Sequence, residues 1–343
     1  NAKCIATPKL SYMENKDDGL HLTYEYYPLP EIALPELSSI SLEKNKYNID
    51  DEAIEKAYKL SLQRFSPFEE SELKSELGDK VYVKIEFDDE ENKKYNKELT
   101  LIATDNENET IFAKNAVDVK KGDKKLLTTF VNGREATLIM EVLKVEKPNI
   151  KDDSKEEEVK KVKEGLKDHL AKRAEARADS ELINDSIFNK MLELVKVDIP
   201  KGYYEMELNR ALEDFERQVS GNGMTKTDFL ISVGKKEDDI KKEYEENVKK
   251  QISFDLIMAK LADVYKDSLN INEDKAKEYA NRLYQYQSYL GLSKRPKEEQ
   301  QDIINHIMKE AENRAVSEAI LDYIKEHLNI TEKDDGRFVA NEN

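Results

Sequence analysis

The stretch Val197–Asp263 constrains the fold more than any other, because long amphipathic segments alternate there with sharp breaks. Apolar residues recur three or four positions apart in its first segment, at Leu208, Ala211, Leu212, Phe215 and Val219. That spacing on an otherwise charged segment predicts a helix with one buried stripe. Pro200 stands where this helix would begin, at a position that needs no backbone N–H.

Residues 220–223, Ser-Gly-Asn-Gly, predict the end of that helix, because two glycines so close favour a chain reversal. Thr225 or Thr227 can cap a short second helix, and Gly234 would end it. A long third helix is expected to carry Phe254, Ile257, Leu261 and Val264 on one face. The stretch therefore predicts an arm of two long antiparallel helices joined by a short helical tip.

This order of parts resembles the C-terminal domain of the trigger factor family, the bacterial nascent-chain chaperones. The matching residues are Val197–Pro200, Gly223–Thr225, Phe229–Leu230, Gly234 and Ile252–Ala262. The resemblance extends over roughly residues 20 to 330. It implies an α+β, predominantly α-helical fold, in an elongated multi-domain chain with a small FKBP-like β-rich module and a helical C-terminal domain with protruding arms.

The resemblance also implies a division of the chain into domains. Supporting patterns are a β-rich run at Leu20–Tyr26 and a helix with apolar positions Ile54, Tyr58, Leu62 and Phe65, capped by Asn48 or Asp50. The expected parts are a remnant of the ribosome-binding domain in strands (1–44), a linker helix (45–77), a shortened FKBP-like domain of the prolyl-isomerase type (78–147), the helical chaperone domain (148–330) and a frayed polar tail (331–343).

Ribosome contact is assigned to no residue of this chain. The family's basic docking loop, of the type Gly-Phe-Arg-x-Gly-Lys, does not occur in the sequence. The chain begins at Asn1-Ala2 without Met, which suggests an expressed fragment or a processed form. We expect ribosome docking only through N-terminal residues that are absent here.

The FKBP-like part lacks the residues that would make it an active isomerase. In the family, a Pro-Gly-Phe segment and a later Pro-x-x-Tyr loop help to build an apolar pocket for the X-Pro amide. Here residues 110–116 read Thr-Ile-Phe-Ala-Lys-Asn-Ala, and residues 128–133 read Thr-Thr-Phe-Val-Asn-Gly. Phe87, Phe112 and Phe130 remain as candidate pocket walls, although a strand-core role is favoured for each. We expect little or no isomerase activity.

Candidate client-binding residues are flexible methionines and aromatic residues in the helical part. Tyr284, Tyr286, Tyr289 and Leu290 are too crowded to share one buried face, so some of them should be exposed, and exposed apolar patches mark interaction sites. Methionine and tyrosine suit loose binding of many sequences. Core packing is the competing interpretation for each single residue. The set is Met191, Met206, Met224, Phe229, Met258, Tyr286, Tyr289 and Met308.

Composition excludes several other classes of protein. Charged and hydrophobic residues each make up 38% of the chain and the net charge is −17, which argues against phosphate-backbone binding and so against direct nucleic-acid binding. No apolar run approaches the roughly 20 residues of a membrane span, and no signal peptide is visible. The single cysteine, Cys4, excludes an internal disulfide and fits the reducing cytoplasm.

Metal and cofactor sites are not expected either. The four histidines, at 21, 169, 306 and 327, are scattered and fit surface positions better than a metal site. The acidic run 88–91 lacks the pattern of a calcium loop and fits a solvated hairpin. No nucleotide-binding motif is present. We therefore expect no metal and no cofactor.

The sequence thus predicts an ATP-independent chaperone that binds unfolded or nascent polypeptides through weak apolar patches on helical arms. The acidic surroundings should favour clients with basic segments. Two alternatives stay open: an active FKBP-type prolyl cis-trans isomerase with an unrecognised pocket, and a dedicated assembly or interaction protein on the same scaffold, since fold does not fix function.

Overall fold

The computed structural model describes residues 4–6, 8–150 and 156–337. Helix accounts for 53% and strand for 22% of the structure, so the predicted multi-domain α+β fold, with helix predominating, is confirmed. The chain divides into two compact units, and each is assembled from separate stretches. The first unit comprises Asn1–Lys46, Arg177–Tyr204 and Lys249–Lys333, and the second comprises Tyr47–Ala176, Glu205–Val248 and Asp334–Asn343.

Most of the strands lie in the N-terminal half of the chain, and the long helices lie in the C-terminal half. The strands are β1 (Lys9–Lys16), β2 (Gly19–Glu25), β3 (Ser41–Asn48), β4 (Phe68–Glu70), β5 (Lys80–Phe87), β6 (Lys97–Ile102), β7 (Lys124–Val131), β8 (Arg134–Pro148) and β9 (Asn329–Arg337). The helices are α1 (Asp51–Phe65), α2 (Ile111–Lys114), α3 (Glu156–Glu181), α4 (Phe188–Leu194), α5 (Lys201–Gly221), α6 (Lys226–Val233), α7 (Glu237–Tyr265), α8 (Glu273–Tyr289) and α9 (Lys297–His327).

Helix ends follow the local sequence. The side chains of Asp50 and Thr225 accept a hydrogen bond from the first turn of α1 and α6 respectively, so these two predicted caps are confirmed. Asn272 caps α8 in the same way. Gly234 ends α6 with φ +68°, a left-handed conformation that favours glycine. The predicted break after α5 is also confirmed, because α5 ends at Gly221 and Gly223 has φ +72°.

A β-rich body, which we call the β-module (Phe68–Pro148), forms the core of the second unit. Its antiparallel sheet has the strand order β4-β8-β5-β6, and β7 pairs with the first part of β8, residues 134–141. Val81, Val83 and Ile85 are 0% exposed and alternate with half-buried residues, as the sequence predicts for β5. Burying each of these side chains stabilises the module by about 1.5–3 kcal/mol. The β7–β8 hairpin turns at Asn132-Gly133, both with positive φ.

Two other clusters belong to the second unit. Helix α1 packs on α3 through Ile54, Ala57, Leu170 and Ala174. Helix α6 and the adjoining ends of α5 and α7 form a structure that we call the helical tip, built around Phe215, Val219, Leu230 and Ile240.

The core of the first unit combines helical residues with a short N-terminal segment. Ile187, Ile257 and Ile324 are 0% exposed, and Leu37 and Ile40 are 4% exposed. The segment α3–α4 is continuous through a π-helical turn, Leu182–Ile187. On α7, Ile257 and Leu261 are buried as predicted, whereas Val264 is 50% exposed, so the predicted apolar face ends before Val264.

The C-terminal residues differ from the prediction. Residues 331–337, expected to be a frayed polar tail, belong to β9, which pairs with β3. Asn329 N donates to Ile40 O at 2.9 Å, and Lys46 Nζ lies 2.7 Å from Glu332 Oε2. Residues of opposite charge on the two strands stabilise a pairing that apolar periodicity does not reveal. Residues 338–343 of the predicted tail lie outside the described part of the chain.

Candidate functional site

The helical tip contains an aromatic cluster. The Phe215 ring lies 5.2 Å from the Phe229 ring at 73°, and 5.5 Å from the Tyr244 ring, measured between centroids. Met224 packs against the same cluster. The local sequence accounts for this arrangement, since the α5 stripe ends at the glycine turn and the Thr225 cap starts α6 directly over it.

A cavity of about 410 Å³ opens beside this cluster. Its apolar floor includes Phe215, Val219 and Phe229, and the loop Glu107–Glu109 of the β-module forms part of its wall. Burial raises the pKa of Tyr244, which also lines the cavity, so its phenol is neutral at neutral pH. A cavity of this size and lining can receive an apolar side chain.

The charged rim of this cavity includes both signs. Lys235 Nζ lies 2.6 Å from Glu243 Oε1, and Lys114 Nζ donates to the main-chain oxygen of Glu107 at 3.1 Å. Both lysines are thus engaged with neighbouring groups, while the rim also includes the carboxylate of Glu109. The rim therefore suits an apolar segment flanked by neutral or basic residues better than an acidic one.

A second apolar surface lies on the hairpin of α8 and α9, in the first unit. Ala280, Ile307 and Ala311 hold the two helices together. Tyr286 is 60% exposed, Tyr289 is 88% exposed and Met308 is 48% exposed. Exposed large apolar residues on one helical hairpin fit an interaction surface. We call this set of exposed residues the tyrosine patch; its members are Tyr284, Tyr286, Tyr289, Leu290 and Met308. Tyr284 and Tyr286 are two positions apart on α8, so they point to different sides of that helix.

Tyr279, on the same hairpin, is packed against neighbouring side chains. Its hydroxyl bonds to the Glu318 carboxylate, and the Arg314 guanidinium lies 4.2 Å from the ring centroid. The hydrogen bonds from Tyr279 and Lys275 outweigh burial and lower the pKa of Glu318. Tyr279 is therefore fixed in place, in contrast to the largely exposed ring of Tyr289.

A third exposed apolar surface was not recognised from the sequence. The hairpin of β1 and β2 pairs Leu10 with Tyr24 and Met13 with Leu22, and all four residues are at least 43% exposed. Tyr12 is 53% exposed as well. Its signal in the sequence is the alternation of Leu20, Leu22 and Tyr24 with polar residues, which predicts apolar side chains on one face of a strand.

The predicted client-binding residues fall into four groups. Tyr286, Tyr289 and Met308 lie on the tyrosine patch, and Met224 and Phe229 line the cavity of the helical tip. Met206, on α5, is half-buried. Met191 and Met258, at 1% and 8% exposure, are part of the core of the first unit and offer no surface to a client in this structure. A client-binding role for the set stays a prediction.

The candidate walls of a proline pocket are divided between core and surface. Phe87 and Phe112, 3% and 1% exposed, are integral to the core of the β-module, which agrees with the core role favoured for them. Phe130 is half-buried, and Lys236 Nζ lies 4.9 Å from its ring centroid. The three rings therefore do not line one open pocket.

The described residues show neither a metal-binding cluster nor a membrane-spanning helix. Among residues 4–6, 8–150 and 156–337, no group of three or more His, Cys, Asp or Glu residues is placed to hold a metal ion. Within the same residues, no helix combines the length and apolar character needed to cross a membrane. All four histidines are exposed, as predicted.

Residues 158–326 match the family model described as the bacterial trigger factor protein (TF) C-terminus. Over 330 residues the chain is 26% identical to the trigger factor of Caldicellulosiruptor bescii, covering 90% of this chain and 74% of that protein. It is 24% identical over 279 residues to the trigger factor of Caldicellulosiruptor saccharolyticus, covering 76% of this chain and 63% of that protein. It is 27% identical over 285 residues to the trigger factor of Clostridium tetani, covering 74% and 64%.

One solved structure matches most of the chain. It was described in work on promiscuous substrate recognition in the folding and assembly activities of the trigger factor chaperone. It shares 19% sequence identity with a TM-score of 0.35, over 94% of this chain and 80% of that one. The superposition is loose. The chain spans somewhat less than two thirds of the length of two of the curated relatives named above.

Proposed function

We propose that this chain, which carries the C-terminal domain of the trigger factor family at residues 158–326, is an ATP-independent chaperone for unfolded or nascent polypeptides. Three curated trigger factors that match 74–90% of the chain support this function. The structural observation on which the proposal depends is the tyrosine patch, because folded proteins rarely leave several aromatic rings of one hairpin in water.

The mechanism follows from the presence of several separate apolar surfaces. Burying one exposed tyrosine against a client contributes about 2–4 kcal/mol before the cost of ordering the client is subtracted. One such contact is too weak to hold a client, but several contacts together give useful affinity. Because each contact breaks separately, a client can dissociate without ATP hydrolysis.

The helical tip offers a second contact of a different kind. Its cavity can take one apolar side chain, whereas the tyrosine patch offers an open surface. We include Met224 and Phe229 in the client-binding set together with Tyr286, Tyr289 and Met308. Met206 stays in the set as a half-buried residue of α5, and Met191 and Met258 would contribute only if the core of the first unit opened.

The domain division proposed for the chain follows the resemblance. Residues 45–77 are the linker helix and residues 78–147, within the β-module, are the shortened FKBP-like, prolyl-isomerase-type part, with little or no isomerase activity. Residues 148–330 are the helical chaperone part. Burial of Phe87 and Phe112 supports the loss of activity, since neither ring is free to wall a substrate pocket. Residues 1–44 would be the remnant of a ribosome-binding domain.

Clients, compartment and ribosome contact belong to the same proposal. A net charge of −17 disfavours direct binding to nucleic acids and favours clients with basic segments. The cytoplasm is the proposed compartment, as it is for a chaperone of nascent chains. Any ribosome association would come from residues other than those described here.

Aggregation suppression tests the proposal. Increasing amounts of the chain are added to a chemically denatured client without nucleotide, and light scattering is followed. We expect suppression near stoichiometric ratios. The double substitution Tyr286→Gln and Tyr289→Gln removes two exposed rings without touching the core, so it should raise the concentration needed for half-suppression several-fold.

Lys277→Gln on the same helix is the matched control, because Lys277 is exposed and contributes little apolar surface. Its suppression curve should coincide with that of the unaltered protein. No suppression by the unaltered protein at any ratio would refute the chaperone function. Equal loss in the control and the double variant would refute the role of the tyrosine patch.

A further inference from the structure

Two segments of the β-module contact the same helix. They are α2, within residues 110–116, and the end of β7, within residues 128–133. By the resemblance described above, these are the segments that would build a pocket for an X-Pro peptide. In the structure both contact α6 of the helical tip, and all of these residues belong to the second unit.

The C-terminal end of α6 packs tightly against α2. A Cβ atom at Gly234 would lie 3.1 Å from Ile111 Cγ2, closer than such atoms normally pack. Gly234 therefore allows α6 to end directly against α2. Its φ of +68° makes glycine doubly suited to this position.

The central contact is Ile231. Its side chain is 1% exposed and belongs to the same cluster as Val81, Phe112 and Leu138 of the β-module. The neighbouring Leu230 faces the other way, into the cluster of the helical tip. Helix α6 is thus a two-sided helix, and one side is part of the module's core.

Polar contacts fix the position of α6 on either side of Ile231. Thr129 is 0% exposed, and its Oγ1 donates to the main-chain oxygen of Ile231 at 2.8 Å. Lys97 Nζ lies 3.4 Å from Asp228 Oδ1 near the start of α6, and Lys236 lies over the Phe130 ring just after its end. A buried apolar anchor with charged contacts around it is the usual anatomy of a specific binding interface.

We propose that this face of the β-module, which we call the α6 socket, is a helix-binding site whose ligand is α6 of the same chain. The socket is defined by Ile111, Thr129 and Phe130 with Lys97 at its edge. It holds a short helix that presents a β-branched apolar residue between an acidic residue and a lysine. While α6 is bound, no extended prolyl peptide has access to these segments, so the module serves to hold the helical tip.

This inference goes beyond chaperone activity and is independent of it. The tyrosine patch could bind clients with the socket filled or empty. Aggregation suppression and the hydrogen-exchange test described next are therefore independent. A negative result in the exchange test leaves the chaperone function untouched.

Amide hydrogen exchange on the full chain measures whether α6 is held in the socket. Ile231→Ala removes most of the anchor without adding charge, and Ile271→Ala removes the same atoms from a side chain that is 44% exposed. We expect Ile231→Ala to speed exchange at least tenfold in β7, α2 and α6, and Ile271→Ala to leave these amides unchanged. Equal exchange in the two variants would overturn the proposal.

Thr129→Val is the second variant, because it keeps the shape of the side chain and removes only the hydrogen bond to Ile231. If Ile231→Ala also speeds exchange in β5 and β6, the whole module has opened. Thr129→Val then tests whether α6 is held in the socket. Faster exchange confined to β7, α2 and α6 supports the socket. No change in those amides contradicts it.

A peptide titration tests whether the socket is closed. The probe is the tetrapeptide Ala-Leu-Pro-Phe, added to the unaltered chain while backbone amide signals are followed by NMR. We expect no shift at residues 110–116 or 128–133. Shifts there while the α6 amides stay protected would show an open prolyl site beside bound α6, and the proposal would be wrong.

Discussion

A single side chain, that of Asp228, stabilises the start of α6. Its carboxylate accepts a hydrogen bond from Thr225 Oγ1 at 2.6 Å, and Thr225 in turn caps the helix by accepting from Asp228 N. Burial raises the pKa of Asp228, but the Thr225 hydrogen bonds and the Lys97 charge outweigh it and lower the pKa overall. A negative charge in the first turn also suits the helix dipole.

The lowered pKa predicts acid sensitivity of the helical tip. A carboxyl group whose folded pKa lies below its unfolded value of 3.8 stabilises the fold above that value and loses this effect as pH falls through the folded pKa. Asp228→Asn keeps a hydrogen-bond acceptor and removes the charge. We expect it to lower the free energy of unfolding by about 0.5–1 kcal/mol at pH 7.

Denaturant unfolding at several pH values measures this effect. The difference between the unaltered protein and Asp228→Asn should shrink as pH falls below 3.8 and should be lost below the lowered folded pKa, where both proteins carry a neutral side chain. The control is Asp274→Asn, which also removes a charge from the first turn of a helix, α8. Asp274 pairs with Lys277 of the same helix, whereas Asp228 pairs with Lys97, which is distant in the sequence. A difference for Asp228→Asn that stays constant from pH 7 to pH 2 would contradict the assignment.

At the scale of single residues, the sequence predicts interactions between residues that are close together in the chain. Thr225 and Gly234 are identifiable as the ends of a helix because each acts within four residues of its own position. Ile231 was not singled out, because its role depends on Thr129, which is 102 positions away in the chain. Burial of Met191 was equally hidden, since a methionine on an amphipathic helix suits a core or a client surface.

Strand β9 illustrates the element scale. Its residues Asn329–Arg337 are mostly polar or charged, so neither alternation nor β-propensity predicts a strand. The partner strand β3 supplies the missing information, through main-chain pairing and ion pairs such as Lys333 with Glu43 at 3.7 Å. By contrast, the sequence of β5 does predict a strand, because its apolar residues alternate with polar ones and are buried on one face of a sheet.

Removal of β9 tests how much this pairing contributes. A chain ending at Leu328 leaves the hydrogen-bonding edge of β3 without its partner. With each lost main-chain hydrogen bond contributing about 0.5–1.5 kcal/mol, a loss of about 1–3 kcal/mol is expected after the chain adapts. Amide exchange in residues 41–48 should quicken correspondingly.

Lys46→Ala separates the strand from its surface charges. This variant breaks the exposed pair with Glu332, and such a pair should contribute less than about 1 kcal/mol. Its amide exchange in β3 should stay close to that of the unaltered protein. Unchanged exchange in β3 after truncation at Leu328 would mean that β9 is dispensable for it.

Charge is a property of the whole molecule. The net charge of −17 belongs to 73 acidic and 56 basic residues spread along the chain, so it acts as a general field around the apolar surfaces. Such a field attracts basic segments of a client over roughly a Debye length and weakens as salt is added.

Salt dependence of client binding follows from this field. Two labelled peptides with the same apolar residues, one flanked by lysines and the other by glutamates, are titrated with the chain at 50 and 500 mM salt. We expect the basic peptide to bind several-fold more weakly at the higher salt, with the difference between the two peptides narrowing. Fluorescence anisotropy gives both affinities. Equal affinities at low salt would rule out an electrostatic preference.

The two compact units are built from interleaved stretches, and this has a consequence for the order in which the chain can fold during synthesis. The β-module is fully translated by Pro148, yet one residue of its core, Ile231, is translated more than eighty positions later. The first unit waits still longer, for residues up to Lys333. For much of its own translation, therefore, this chain exposes apolar surface that only its later residues can cover, and it is then itself a nascent chain in need of protection.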